Sequence, residues 1–339
     1  MKAVRRSTVW LSGALVLLLT SACASGTART SSLDRAEAKE GTAVLTVAPM
    51  DVTGSAGRFE SLTSKAATSS LPKRLMVYRV KPANVTKSAF EKRARGLGLK
   101  GATEEIGGKF LIADEGATYE VDKTTGSFDY TTDAFEKQTR PLQHLLSDNE
   151  YRKKAETFLA GSGLVEDSAE FRDVNRGNVV GTYENGRWVE RPFMVEVRFG
   201  HKALGGIDFD KGVGPKIVVQ FGEDGRILGA LSVWREVEPF SVYALKSTDE
   251  ALTAAKKGDA QLFNVEDRDT GVVDTVSLSY INDPLDYDQR YVLPAYILKG
   301  STGNGSRFVG VARAIPEALL RVDASLRGPT VSAPLSTGK

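Results

Sequence analysis

Lys216-Ile-Val-Val-Gln-Phe221, Glu223-Asp-Gly-Arg226 and Ile227-Leu-Gly-Ala-Leu-Ser-Val-Trp-Arg-Glu-Val237 are the stretch on which the fold class turns. The outer runs are β-branched and apolar, which suits extended backbone, and the Asp-Gly turn folds one back on the other as a hairpin. Upstream, Asn178 to Tyr183 and Trp188 to Phe199 read as further extended segments, with a glycine-rich loop at Gly205 to Gly214. A helix precedes them, with Asp148 as its expected N-cap, Tyr151, Ala155, Phe158 and Leu159 on one face, and Gly161-Ser162-Gly163-Leu164 at its end.

The same grammar recurs on both sides. Leu75 to Val80 (LMVYRV) reads as a strand, and Ser88 to Leu97 as a helix capped by Thr86. Lys109 to Ala113 (KFLIA), Ala117 to Val121 (ATYEV) and Ser127 to Thr131 then form a meander around the turn Asp122 to Gly126. This first helix ends in Gly96-Leu97-Gly98-Leu99, much as the next ends in Gly161-Ser162-Gly163-Leu164, which suggests an internal repeat of about 65 residues. Ser247 to Lys257 is a third helix, opened by a Ser247/Glu250 capping box and stopped by Gly258. Val272 to Ile281, Arg290 to Lys299 (RYVLPAYILK) and Arg307 to Ala314 follow as strands, the last two joined by a hairpin loop at Ser301 to Ser306. Pro294 implies an edge or a bulge within its strand. The expected fold is therefore α+β, in tandem small units, each a helix packed on a mostly antiparallel sheet.

The remainder divides around those units. Residues 1–22 read as a signal peptide: Lys2, Arg5 and Arg6 lead into the short apolar run Val9 to Leu19, which Ser12 and Gly13 interrupt short of a membrane span. Residues 23–72 carry Cys23 and a flexible linker rich in Ser, Thr, Ala and Gly. Its brief apolar stretch, Ala43 to Ala48, either adds a strand to a sheet edge or is a sticky patch in the linker. Units follow at 73–146, 147–240 and 241–323, and 324–339 reads as a disordered tail.

Leu19-Thr20-Ser21-Ala22-Cys23 resembles a bacterial lipobox, although Thr20 stands where leucine is usual. The resemblance implies that Cys23 is acylated and becomes the first mature residue. Cys23 is the one cysteine among 339 residues, so it forms no internal disulfide, and acylation accounts for an otherwise spare thiol in an exported chain. Removing the leader takes away three of 45 Lys plus Arg, which leaves the basic residues one short of the 43 Asp plus Glu and disfavours nucleic acid as a partner. The expected location is extracytoplasmic, on the cell membrane through the lipid. In a Gram-negative host, Ala24 after the anchor fits outer-membrane sorting.

The hairpin closing on Val233-Trp234-Arg235, the helix with Glu250-Ala251-Leu252, the strand ending in Tyr280 and the run Tyr291-Val292-Leu293-Pro294-Ala295-Tyr296 together resemble PepSY-like extracytoplasmic modules, including YycI-type regulators. The likeness runs from about Leu75 to Ala314. It implies action by protein contact, with no catalytic residue to carry over, and an envelope protein as partner. YycI-type regulators are tethered by a transmembrane helix, whereas this chain ends its leader on a lipobox-like cysteine.

Chemistry-bearing motifs are sparse. The two histidines, His144 and His201, lie in no zinc-ligand spacing; His144 reads as a helix-start or connector residue and His201 as a surface turn residue. Gly161-Ser162-Gly163 follows a helix, so it reads as helix termination and not as a nucleophile elbow. Asp208-Phe209-Asp210-Lys211-Gly212 and the trio Asp283, Asp286 and Asp288 offer oxygens for calcium, yet suit solvated turns better. Gly205-Gly206 and Gly212-x-Gly214 lie between extended segments, which is the wrong setting for a phosphate loop. Trp234, Trp188, Tyr183 and Phe193 line either a ligand groove or a core. The expectation is thus a non-enzymatic binding or regulatory lipoprotein, with no catalytic, cofactor-binding or metal residues and with an exposed edge at Pro294 as its contact surface. The alternatives are an envelope hydrolase using Glu236, Glu238 or Asp288, and a carrier of a small ligand or lipid.

Overall fold

The computed structural model describes residues 40–50, 57–68, 70–114, 116–185, 187–209, 214–283 and 287–326. In chain order these form β1 (Leu45–Val47), β2 (Arg58–Ser64), β3 (Arg74–Val80), α1 (Lys87–Gly96), β4 (Glu104–Ile106), β5 (Lys109–Asp114), β6 (Ala117–Asp122), β7 (Phe128–Thr132) and α2 (Asp133–Lys137). Next come α3 (Asp148–Ser162), β8 (Ala169–Glu184), β9 (Arg187–His201), β10 (Lys216–Phe221), β11 (Ile227–Val233), β12 (Val237–Ala244) and α4 (Thr248–Lys257). The last are β13 (Gln261–Phe263), β14 (Asp267–Ile281), β15 (Tyr291–Thr302), β16 (Arg307–Arg313) and β17 (Leu320–Val322).

The fold is mostly β, with 49% of the described residues in strands and 18% in helical turns, and it is not a row of α+β units. The correction arises at β7. Its open edge pairs with β11, in the register Phe128↔Ser232 to Thr131↔Gly229, and so joins the strands of the first two expected units. One antiparallel sheet results, in the order β4-β5-β6-β7-β11-β10-β9-β8. Both α1 and α3 lie on its one face. Phe90 and Ala94 from the first, with Tyr151, Ala155 and Leu159 from the second, pack on Tyr119, Val121, Val197, Val219 and Phe221. Phe90 stacks on Tyr119 at 5.1 Å, and a Cβ on Gly96 would stand 3.0 Å from the Ser162 backbone, so the helices touch where each ends. The two similar helix ends thus meet within one layer.

The expected strand Ile227 to Val237 is also corrected, because it serves two sheets. β11 ends at Val233, Trp234 to Glu236 cross over, and β12 pairs with β3 from far back in the chain. The second sheet runs β12-β3-β15-β14-β2, with β16 sharing one side of β15 with β3, and β13 beside β16. α4 covers it, placing Ala251 and Ala255 against Phe59, Leu262, Tyr296 and Phe308. Pro294 therefore lies buried inside a sheet, not on an edge. β15 pairs with β3 at Tyr291 and Val292 and with β16 from Ala295 onward, so proline's missing N–H falls where the neighbour changes.

The stretch read as linker contributes two strands. β1 pairs parallel with β17, its Leu45 and Val47 buried, and β2 pairs parallel with β14. Of the two alternatives for Ala43 to Ala48 a strand forms, but it makes a two-stranded sheet with β17 and does not join the edge of either large sheet. At the other end Leu326 is buried and its carbonyl accepts the Asp288 N–H at 2.7 Å, while 327–339 of the expected tail lie outside the described residues. Among the described residues, no helix is long and apolar enough to cross a membrane.

Candidate functional site: a basic cleft at the seam and an aromatic arm

The crossover Trp234-Arg235-Glu236 builds the seam between the sheets. Trp234 is buried and stacks on His201 at 5.2 Å, and Phe209 packs beside them, 5.5 Å from His201 and 5.9 Å from Tyr280. His201 is therefore the buried end of β9, not a surface turn residue, with its Nδ1 2.8 Å from the Lys202 carbonyl. Arg235 is 3% exposed; it donates to Ser127 Oγ at 3.0 Å and to the carbonyls of Trp234 at 3.1 Å and Tyr287 at 3.3 Å. Burial lowers its pKa to about 10, against the pull of Asp283, Asp122 and Asp288.

Above this guanidinium opens a cleft of about 470 Å³, walled by the end of β3, the β6–β7 turn and the segment leading into β15. Arg79, Lys81, Lys123 and Arg290 join Arg235 in lining it, with Asp288 as the lining carboxylate. The Arg79 guanidinium lies 4.6 Å over the Phe240 ring and 4.0 Å from Glu238, and Arg290 Nε is 3.6 Å from Asp288. Lys123 pairs with Glu105. Gln289, itself buried, pins the cleft's floor loop: its amide donates to the Ile281 and Tyr291 carbonyls and its oxygen accepts the Asp283 N–H at 3.0 Å. Below it, burial pushes the Asp283 carboxyl up to about 6, although Arg313 and Arg235 draw it down. Arg313 is held by the Ala48 carbonyl at 2.6 Å.

None of these cations stood out in the sequence. They come from positions between 79 and 290, and each sits beside a turn or strand end where a charge suits solvent equally well. The available signal was Arg235 itself, a charge at the end of the apolar run ILGALSVW.

The carboxylates considered for hydrolysis are not brought together. Glu236 is exposed and accepts from Trp234 Nε1 at 3.3 Å, Glu238 is exposed beside Arg79, and Asp288 alone of the three lines the cleft. His144 meets Glu223 and Asp224 with their ligand atoms within 4.8 Å of one another. Glu223, however, already accepts the backbone N–H groups of Gln143 at 2.8 Å and His144 at 2.7 Å, bonds that hold its carboxylate below its ordinary pKa. That trio clasps the connector before α3 to the β10–β11 turn, as expected for a connector histidine. Of the residues weighed for calcium, Asp210 to Gly212 and Asp286 lie outside the described residues. Asp208 stands 3.8 Å from Arg172, and Asp283 is close enough to Arg313 and Arg235 for both to lower its pKa.

A second cavity, about 370 Å³, lies on the outer face of the eight-stranded sheet under Phe209, among Arg172, Asp173, Glu196, Arg198 and Lys216. Its charges are mutually matched. Burial would raise the Glu196 pKa, but hydrogen bonds from Arg198 at 2.7 Å and Asn175 at 3.0 Å hold it low, while burial and then Arg198 lower that of Lys216.

The remaining aromatics form an arm. β10 pairs with β9 from Val195 to Gly200, so before Val195 the only strand beside β9 among the described residues is β8, with the Pro192 carbonyl accepting the Leu142 N–H at 2.8 Å and the ribbon running on beyond β10. Near its tip Tyr183 and Trp188 are cross-strand partners, 76% and 59% exposed, with rings 5.3 Å apart at 68°. Trp188 lies across Gly181, where a Cβ would stand 1.7 Å from the indole. Val179, opposite Pro192, continues the apolar strip on the same face.

No family model matches this chain, and no curated protein matches it. Among solved structures, an uncharacterised protein from Eubacterium rectale ATCC 33656 is similar over 76% of this chain and 89% of its own, at 10% identity and a TM-score of 0.38.

Proposed function

We propose that this chain is a lipid-anchored, extracytoplasmic binding protein that works by contact with another protein of the cell envelope. The observation that carries the reading is the arm: two large aromatic side chains paired at the tip of a ribbon that leaves its sheet. Isolated exposed apolar residues need no explanation, but Tyr and Trp together dominate protein interfaces because they bury much area at little entropic cost. The lipobox-like Leu19 to Cys23 supports the location, and Cys23 itself lies outside the described residues.

A photo-reactive amino acid placed at Tyr183 in intact cells should give one discrete crosslinked product, and Trp188→Ala should reduce its yield. The same probe at Ile106, which is 57% exposed on β4, should not give it. Equal products from both positions, or none at Tyr183, would overturn the contact surface.

A further inference from the structure

The basic cleft is a second surface, independent of the arm, and its geometry points to a binding site for a small phosphate-bearing anion. Five cationic side chains line about 470 Å³ with Asp288 as the lining carboxylate, and although Glu105 and Glu238 pair with Lys123 and Arg79 from outside the lining, the cations remain in excess of these carboxylates. Much of this charge is available to a ligand. Neither Arg79 nor Arg290 makes a side-chain hydrogen bond among the described residues: their ion pairs are long, at 4.0 Å and 3.6 Å, and both side chains are 51% exposed. Lys81 has no ion pair among the described residues. Two guanidinium forks that can close on one anion suit the oxygens of a phosphate, which accepts paired N–H donors and carries more charge than one carboxylate.

The buried parts give the site its shape. Arg235 is fixed from three sides by Ser127, Trp234 and Tyr287, so its charge sits at the floor without rearrangement, and Gln289 fixes the loop that carries Asp288 and Arg290. A phosphate group alone would not fill the cleft. Val80, Pro82 and Tyr291 complete the wall, and they suit the organic remainder of a phosphate ester. The shared chemistry is a phosphate ester, whether from a soluble metabolite or from the headgroup of an anionic lipid.

The test uses the full lipidated chain in a detergent with neutral headgroups, with pyrophosphate and monomeric dihexanoyl phosphatidylglycerol as separate probes in calorimetric titrations. Saturable binding of at least one is expected, weakened at least tenfold in an Arg79→Ala/Lys81→Ala/Arg290→Ala variant and weakened by added salt. Preference for pyrophosphate marks a soluble ligand, and preference for the lipid marks a headgroup. All three substituted side chains are exposed, so the variant should retain its far-ultraviolet circular dichroism; if it does not, Lys81→Glu alone serves as the variant. Failure of both probes to bind, or binding unchanged in the folded variant, would overturn the site.

Discussion

Asp283 illustrates how one side chain at the seam sets a pH dependence. Burial raises its pKa to about 6, above the ordinary 3.8, so the folded state holds the proton more tightly than the unfolded state between those values. Stability contributed by this group is thus greatest below about pH 4, falls as pH rises through about 6, and is level beyond. The stability difference between wild type and Asp283→Asn should therefore change by on the order of 1–3 kcal/mol across that window, in the direction of relative loss by the wild type, as read by urea titrations at several pH values. A difference independent of pH would show that the carboxyl is not buried as described. At the arm, Gly181 is required by a neighbour and not by its own backbone: any β-carbon there would displace the Trp188 ring. Gly181→Ala should shift Trp188 emission to the red as the indole swings into water, while the unfolding midpoint hardly moves, because the ring is already more than half exposed.

At the scale of elements, what was legible was local. Thr86 caps α1, the Ser247/Glu250 box opens α4, and Gly163 and Gly258 close α3 and α4 in the left-handed conformation, each written in residues that touch within one turn. One cap was misplaced by a residue: Ser147, not Asp148, accepts the Glu150 N–H, and Ser147→Ala should cost α3 about 1 kcal/mol in a denaturant titration. Pairing was not legible, because a strand's alternation states which faces are buried but not which edge it meets. Nothing in Phe128 to Thr132 names β11 as its neighbour, and nothing in the apolar run from Ile227 to Val237 marks where one sheet gives way to the other. The cleft was hidden for the same reason, since its cations converge only after those long-range pairings form. Pro294 shows how a correct local rule can point the wrong way. Its carbonyl accepts the Ala314 N–H at 2.9 Å, and its nitrogen faces the same side of β15, into the gap between β3 and β16. Pro294→Ala would place an N–H in that buried gap and should destabilise by about 1–3 kcal/mol, measured by chemical denaturation. A neutral result would mean the new donor finds a partner there.

For the whole molecule, the folded part behaves as one body because the seam is built from the chain that joins its sheets. Trp234 stacks on His201 from the eight-stranded sheet, Arg235 ties Ser127 to Tyr287, and Asn282 reaches the Val233 carbonyl at 3.3 Å. Opening one sheet alone would expose the indole and cost the Arg235 guanidinium its bond to Ser127 or to Tyr287, a loss of about 2 kcal/mol or more. Cleft and arm are consequently carried by one compact unit, and on the lipid-anchor proposal where that unit works is decided by Cys23. Acyl chains contribute about 0.8 kcal/mol for each methylene they bury, so two or three of them hold a protein on a membrane durably, whereas an unmodified thiol does nothing comparable. On that proposal Cys23→Ala should abolish metabolic labelling by a fatty acid and release the chain from the membrane fraction, while its thermal unfolding midpoint stays unchanged, because the proposed anchor sets location whereas the seam holds the fold. Continued membrane attachment with label present would refute acylation at Cys23. Continued attachment without label would instead place the hold on the membrane in the folded body, and the Trp188→Ala and Arg79→Ala/Lys81→Ala/Arg290→Ala variants would then tell whether the arm or the cleft provides it.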